Sequence, residues 1–448
     1  MKNFLEHKHA IWLVLSAALL LRLIPAICAI SDAERLVRPD SAGYLAPAYS
    51  MAESASYNTT RRPPGYPLLA AVVFVFGGDA AALAIIQVII SSVTCLPVYL
   101  AAKEYGGKIC GSIAAWLLAL NITAIANAPL LLSDTLFAFF AAWQLYFFLK
   151  YCKNNQLKTL LCGVLIAACA VLIRPINQLL ILVLCVLIFC RTTLPWKKRL
   201  LHALCSFLIF AAVITPWMWR NYAAGADFDI DSNTGAMRHQ NGAMLMAKVN
   251  GTDFESEKQK LLASEAAAFA DTEKFPDERS KEKWRKREFR NMVMKYPATY
   301  FFQHLDIRVL LPDAPTLLED FGITSSDRGT MGVLKKDGIF AAIKHYFGEN
   351  WFWYLLFILP MLIPVAILYF AAGWQLFRDL RQFKSCWFEL LLLLGFAEYY
   401  LFLPGSITAP RYQLPALPLL CTFAAIALSN FLIRKNVEQT APDQPAQN

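Results

Sequence analysis

Residues 10–30, AIWLVLSAALLLRLIPAICAI, are an apolar run broken by a single charge, Arg22. At a rise of about 1.5 Å per residue, a helix of about 20 residues crosses a hydrocarbon layer of about 30 Å, so the run reads as a membrane-spanning helix. Lys2 and Lys8 precede it, but it is too long for a signal h-region, and Ile27 before Cys28 spoils a lipoprotein cleavage box. It is read as an uncleaved first helix, with cleavage after the small residues near Ala29 as the alternative. Working outward, similar runs fall at 80–102, 109–126, 135–150, 157–173, 176–190, 200–218, 351–373, 386–403 and 411–433. None alternates at the two-residue period of a strand, which selects a helical bundle over a barrel.

Composition agrees. Hydrophobic residues make up 57% and charged residues 17%, with a mean hydropathy of +0.43, far from a soluble globular balance. The cysteines lie in or beside the apolar runs, without a CxxC pair or Cys/His cluster, so neither a disulfide framework nor a metal knuckle is expected.

The net charge of +9 is placed by topology. With the N-terminus inside, alternate loops hold Lys103 and Lys108; Lys150, Lys153 and Lys158; Arg191, Lys197, Lys198 and Arg199; Arg378, Arg381 and Lys384; and Arg434 and Lys435. Few acids accompany them. This is the positive-inside pattern, repeated at every inside loop. Tyr66–Phe76 is apolar but spans only half the required length, and counting it as a crossing would invert every later loop. It is therefore expected to be an outer interfacial or re-entrant helix.

Four regions follow: a membrane catalytic module at 1–218 with its first outer loop at 31–79, an extracytoplasmic loop domain at 219–350, membrane helices at 351–435, and a disordered cytoplasmic tail at 436–448. The loop domain carries 19 Lys+Arg against 20 Asp+Glu, so no basic surface for nucleic acid exists there. Residues 253–295 read as helical with mixed charges on a solvated face.

The unusual polar residues fall on the outer side. The first outer loop contains Asp40, Tyr44, Arg61, Arg62 and Tyr66; later turns bring Ser133-Asp134-Thr135, Arg174-Pro175, Pro216-Trp217-Met218-Trp219-Arg220-Asn221 and Arg411-Tyr412. Guanidiniums bind phosphate oxygens bidentately and stay charged, and a carboxylate beside them can take a proton from a hydroxyl. A lipid phosphate donor with a hydroxyl acceptor fits that chemistry. Blander readings stand beside it: Asp40 and Asp134 as helix N-caps, Arg174 and Arg220 snorkelling from helix ends, Arg22 pairing with an outer carboxylate, and His304 and Arg308 as structural residues.

In order and sidedness, these motifs resemble the GT-C membrane glycosyltransferases that use polyprenyl-phosphate sugars. The likeness is greatest to the branch with the aminoarabinose and galacturonic-acid transferases and the protein O-mannosyltransferases. It rests on Pro39-Asp40-Ser41-x-x-Tyr44, Arg62-Pro63-Pro64-Gly65-Tyr66-Pro67, Ser133-Asp134, Arg174-Pro175, Pro216-Trp217-x-x-Arg220-Asn221 and Arg411-Tyr412-x-x-Pro415. The resemblance implies an all-α polytopic GT-C bundle of about 10 membrane helices, with outer interfacial helices and one extracytoplasmic domain. It implies Asp40 and Asp134 as catalytic residues and Arg61, Arg62, Arg174 and Arg411 as donor-phosphate ligands. Tyr44, Tyr66, Arg220 and Tyr412 are expected at the substrate. Asp134 stands where metal-dependent relatives have a paired acidic motif, but the second acid is missing, so a divalent metal is an open alternative that the motif does not support, and no other cofactor is implied. The implied partners are a polyprenyl-phosphate sugar, a glycolipid, glycan or protein acceptor, and the bilayer of a bacterial inner membrane. The implied reaction is inverting transfer to a hydroxyl outside the cytoplasm. A transporter or flippase, or a noncatalytic partner in glycan assembly, are the competing readings.

Overall fold

In the computed structural model, residues 9–191, 193–323, 330–382, 395, 399–402, 405 and 409–440 are described. Lys2, Lys8, Lys384, Cys386, Glu389, Glu398, most of the expected span 386–403 and the tail from 441 lie outside the described residues.

Among the described residues no strand forms. The first half comprises α1 (Ala10–Ile30), α2 (Ser41–Ser54), α3 (Gly65–Val75), α4 (Ala80–Val93), α5 (Cys95–Ala119), α6 (Ile122–Ala126), α7 (Asp134–Asn154), α8 (Leu157–Val171), α9 (Leu180–Cys190) and α10 (Trp196–Ala223). The second half adds α11 (Ala243–Asn250), α12 (Phe254–Phe269), α13 (Glu278–Lys295), α14 (Pro297–His304), α15 (Ala314–Asp320), α16 (Thr330–Phe347), α17 (Trp351–Arg381) and α18 (Leu417–Thr440). Among the described residues, five helical stretches are long and apolar enough to cross a membrane, accompanied by shorter apolar helices. One of the shorter ones is α3, whose 11 residues reach about half a bilayer and pack along α2, as its length requires.

Helix continues almost unbroken from Ala80 to Ala119, yet the chain reverses within it, between the expected spans 80–102 and 109–126. Gly107 sits at φ +73°, where a side chain is strained. Beyond it Gly111 comes back against Tyr99: a Cβ on Gly111 would lie 2.7 Å from the Tyr99 carbonyl oxygen. The result is two antiparallel legs turning at Lys103–Lys108, as the sequence separates them.

Small residues carry the packing. Ala101, Ala102, Ala114 and Ala115 of α5 and Ala424 and Ala425 of α18 are fully buried, in the two helices that share the most extensive seam. Within lipid there is little hydrophobic gain in helix association, so close van der Waals approach over small side chains supplies the attraction. Arg22 is also fully buried. It donates to Ser91 Oγ (2.9 Å) and to the carbonyls of Ala18, Leu118 and Ala119, tying α1 to the end of α5. The expected outer carboxylate is not among these partners. Its charge is spread over carbonyl dipoles at a helix C-terminus.

The basic turns gather at one end of the bundle: Lys153 lies over the Tyr105 ring at 5.0 Å, and Arg191 Nε donates to Asn155 Oδ1 at 2.7 Å. Asp134 begins α7 and Asn154 ends it, so the acidic residue lies at the opposite end.

The polar region 219–350 folds as a small helical layer. Phe269, Phe275 and Trp284 pack edge to face, and Arg285 pairs with Glu265, Glu278 and Glu282. The face expected to be solvated over residues 253–295 is partly interior, since Glu257 and Glu282 are buried, as is Arg238 before it. Opposite charges compensate one another there, which lets them leave water. Asp320, at the end of α15, is fully buried and neither carboxyl oxygen has a hydrogen-bond partner. Burial, then Asp313 and Glu319, push its pKa up to about 9, against the pull of Arg38 and Arg35. A raised folded-state pKa makes this acid cost stability as pH climbs from its unfolded value of 3.8 toward 9, because the unfolded chain sheds its proton first. Asp320→Asn should therefore raise the melting temperature at pH 8 and leave it unchanged near pH 4, measured by thermal unfolding in detergent. Equal melting temperatures at both pH values would show that Asp320 is not a buried acid.

Candidate active site

Asp40 precedes the first turn of α2, in the N-cap position, but its side chain makes no capping hydrogen bond. It turns instead toward two arginines. Arg62 Nη2 meets Asp40 Oδ1 at 2.9 Å, and Arg411 Nη2 meets Asp40 Oδ2 at 3.1 Å. Tyr44, one helical turn on, shares the face. Its hydroxyl accepts from Arg62 Nη1 at 3.2 Å and from Ser133 Oγ at 3.0 Å, and its ring lies 4.5 Å beneath the Arg62 guanidinium. Tyr66 stands edge-on to Tyr44 at 5.2 Å.

The local sequence explains how Arg62 is aimed. Pro63 and Pro64 fix the backbone behind it, and the Tyr57 hydroxyl donates to the carbonyls of Arg62 (2.8 Å) and Pro63 (3.2 Å). Gly65 N donates to Leu172 O at 2.6 Å. A Cβ on Gly65 would lie 2.7 Å from that same oxygen and from Ile173 Cγ1, so only glycine lets this turn press against the Arg174 loop.

The second carboxylate, Asp134, is buried at the start of α7, where Ser133 makes no capping bond either. Arg174 Nη1 pairs with Asp134 Oδ1, and Arg411 Nε lies 4.0 Å from Asp134 Oδ2. Tyr412 presents its ring to both Arg174 (5.6 Å) and Arg411 (5.5 Å). Arg411 thus stands between the two acids. The short 3-10 turn that bears it is anchored by Gln413, which donates to the carbonyls of Val309 (3.0 Å) and Leu311 (2.8 Å) and accepts from the Tyr369 hydroxyl at 2.6 Å.

Two carboxylates and three guanidiniums converge, leaving one positive charge over. Burial alone would weaken these cations. Tyr44 and Asp40 outweigh it at Arg62, and Asp134 and Tyr44 at Arg174, so both are held above the ordinary arginine value. Asp40 is the open member, with its side chain 46% exposed against 5% for Asp134. A substrate therefore meets Asp40 first and Asp134 only through the arginines.

Eight of the ten residues singled out in the sequence come together: Asp40, Tyr44, Arg62, Tyr66, Asp134, Arg174, Arg411 and Tyr412. Two do not. Arg61 is exposed, with its backbone N–H on Thr59 Oγ1. Arg220 donates to the carbonyls of Thr59 (2.7 Å) and Tyr57 and lies over the Tyr57 and Trp217 rings, fastening the Arg62 loop to α10. His304 bonds the Tyr300 carbonyl and Arg308 bonds Asp306, both within the loop layer.

The sequence reading missed Asp231. Ser232 joins the loop before Arg62 by a backbone bond to Thr60 O (2.9 Å) and a hydroxyl bond to Thr60 Oγ1 (2.7 Å), bringing Asp231 into the field of Arg62. Burial and then Asp229 push its pKa up to about 7, with Arg62 pulling against them. The only trace in the sequence is the acidic spacing Asp227, Asp229, Asp231 directly after α10.

A divalent cation does not fit this set. Among the described residues no three His, Cys, Asp or Glu side chains converge as metal ligands, and both site carboxylates face guanidiniums, which repel a cation.

With this geometry in view, residues 61–219 match the family model for dolichyl-phosphate-mannose-protein mannosyltransferases, a segment that includes Arg62, Asp134 and Arg174 but neither Asp40 nor Arg411. The whole chain superposes on the apo oligosaccharyltransferase of Archaeoglobus fulgidus with a TM-score of 0.56 at 15% identity, covering 97% of this chain and 52% of that one. The AglB oligosaccharyltransferase of the same organism, in complex with an inhibitory peptide and a dolichol-phosphate, gives 0.51 at 14% identity, covering 99% and 53%. ArnT from Cupriavidus metallidurans bound to undecaprenyl phosphate gives 0.51 at 12% identity, covering 97% and 62%. The fold is of the GT-C type. The chain spans about half the length of the archaeal structures, and no curated protein sequence matches it.

The tight seat of Gly65 yields a test that needs no substrate. Gly65→Ala should destabilise the protein by about 1–3 kcal/mol, the usual cost of overpacking a close contact, seen as a lower thermal unfolding midpoint. An unchanged midpoint would mean that the Arg62 and Arg174 loops are not in contact.

Proposed function

We propose that this GT-C chain is a glycosyltransferase that moves a sugar from a polyprenyl-phosphate carrier to a hydroxyl on a cell-surface glycolipid, lipopolysaccharide or protein. The observation that carries the reading is the half-exposed Asp40 flanked by Arg62 and Arg411, with Arg174 on the buried Asp134 behind them. An uncompensated positive charge beside an accessible carboxylate suits a phosphate leaving group next to a hydroxyl nucleophile. The dolichol-phosphate and undecaprenyl phosphate bound in the similar structures support the same donor class.

In this mechanism the donor phosphate rests on Arg62, Arg174 and Arg411. The acceptor oxygen attacks the anomeric carbon from the face away from the phosphate while Asp40 takes its proton. The bond from that carbon to the phosphate oxygen breaks, its electron pair stays on the phosphate, and the arginines stabilise the added charge. Configuration inverts, and the polyprenyl phosphate leaves without protonation. Tyr44, Tyr66 and Tyr412 border the sugar. Arg220 acts at a distance by holding the Arg62 loop, and no step requires Arg61. The basic turns at the other end of the bundle support a site on the extracytoplasmic face, and the reading puts both termini in the cytoplasm and the bundle in a bacterial inner membrane.

The transporter reading loses support from Arg22. Transport needs a polar path near mid-membrane, and this deepest charge of α1 is fully engaged with Ser91 and carbonyls.

The test is transfer by purified protein in proteoliposomes with a polyprenyl-phosphate-sugar donor, following release of polyprenyl phosphate. Asp40→Asn should lower turnover at least ~100-fold, the scale of a lost general base, with the thermal midpoint unchanged. Wild-type turnover in that variant would remove Asp40 from the chemistry.

A further inference from the structure

Asp40 and the arginines around it play conflicting parts. A general base works best with its lone pairs uncommitted, but each oxygen of Asp40 already accepts one guanidinium N–H, from Arg62 at 2.9 Å and from Arg411 at 3.1 Å. A phosphate arriving here competes with Asp40 for the Nη2 groups of Arg62 and Arg411. Arg174 keeps its pair with the buried Asp134 through Nη1 and can meet the phosphate with its remaining N–H groups.

We propose that the ion pairs of Asp40 with Arg62 and Arg411 are a clamp that donor binding opens: the phosphate of the polyprenyl carrier draws both guanidiniums away and so releases Asp40 to act as the base. This rests on the glycosyl-transfer reading above and adds to it an order of events.

Three features of the site favour such an exchange. The Asp40 pairs lie at the mouth, with side chains 46%, 23% and 20% exposed for Asp40, Arg62 and Arg411, so water screens them and each contributes little. A phosphate offers more charge and more acceptor oxygens than one carboxylate, and arginine forks match it bidentately. Both arginines also keep a second support while they move. Arg62 lies over Tyr44, and Arg411 is 4.0 Å from Asp134 and 5.5 Å from the Tyr412 ring centre. Asp231 adds a further negative field on Arg62 from the loop layer. Without donor, Asp40 is occupied and an acceptor hydroxyl is not activated. With donor, base and electrophile become competent together.

The clamp makes a counterintuitive prediction: the variant that loses transfer should hold the carrier lipid more tightly. Binding of undecaprenyl phosphate to the full-length protein in nanodiscs would be titrated for wild type, Asp40→Asn and Asp40→Ser, with undecaprenol as the uncharged control. Because Asp40 is half-exposed and caps no helix, both variants are expected to fold, and their thermal midpoints are measured alongside. Each should bind roughly tenfold more tightly than wild type, the equivalent of freeing two screened ion pairs. In an Arg411→Gln background the gain from Asp40→Asn should shrink clearly, because half of the clamp is already gone. Equal or weaker binding by the Asp40 variants overturns the clamp. So does an undiminished gain in the Arg411→Gln background, which would mean that Asp40 merely repels phosphate through space. If wild type does not distinguish undecaprenyl phosphate from undecaprenol, it is the donor class that falls, a failure separate from that of the clamp.

Discussion

Several charges that this fold takes out of water sit beside a partner or a set of dipoles, and those pairings tie distant segments together. A guanidinium or carboxylate taken out of water needs a partner or a set of dipoles close by. Arg22 finds helix-end carbonyls and so fastens α1 to α5. Asp134 finds Arg174 and so fastens the start of α7 to the turn after α8. Asp40 finds Arg62 and Arg411, linking the first loop to the turn before α18, 371 residues further along the chain. The buried pair of Asp134 and Arg174 thus both joins two segments and furnishes groups of the site, whereas the exposed Asp40 pairs add little to stability.

This has a consequence for how the site works. Groups that neutralise one another at rest are stable but occupied, and chemistry begins only when a ligand with more to offer displaces one of them. The exposed pairs at Asp40 are suited to exchange and the buried pair at Asp134 to permanence, because solvent screening weakens the first far more than the second. Aromatic rings from Tyr44 and Tyr412 keep the cations oriented throughout, through contacts that do not depend on the carboxylates.

The loop layer between α10 and α17 supports the site from above. Ser232 bonds Thr60, the Leu310 carbonyl accepts from Tyr369, and Val309 and Leu311 anchor Gln413. Its contribution is mostly backbone, made by residues without unusual chemistry. That explains why it suggested nothing when read alone, and why Asp231 passed unnoticed. An aspartate two places from other aspartates is ordinary until burial and the nearness of Arg62 make it otherwise.

The sequence by itself determined the helical membrane architecture, because a run of about 20 apolar residues has only one way to satisfy its backbone in lipid. It determined the half-length of α3 and the reversal between the legs of α5, since length and a glycine flanked by lysines are local properties. It also singled out Asp40, Arg62, Arg174 and Arg411, as charges beside prolines at the ends of apolar runs are conspicuous, and Asp134, a charge opening an apolar run. Only the tertiary structure decided which of them meet. Arg61 and Arg62 are neighbours with the same side chain, and Arg220 is as well placed in sequence as Arg174. Their directions depend on a turn held by Tyr57, Gly65 and the carbonyl of Leu172, and that contact between segments more than a hundred residues apart leaves no local signal. The pairing of Asp40 with Arg411 is of the same kind: it exists because two distant loops are brought to one end of a packed bundle.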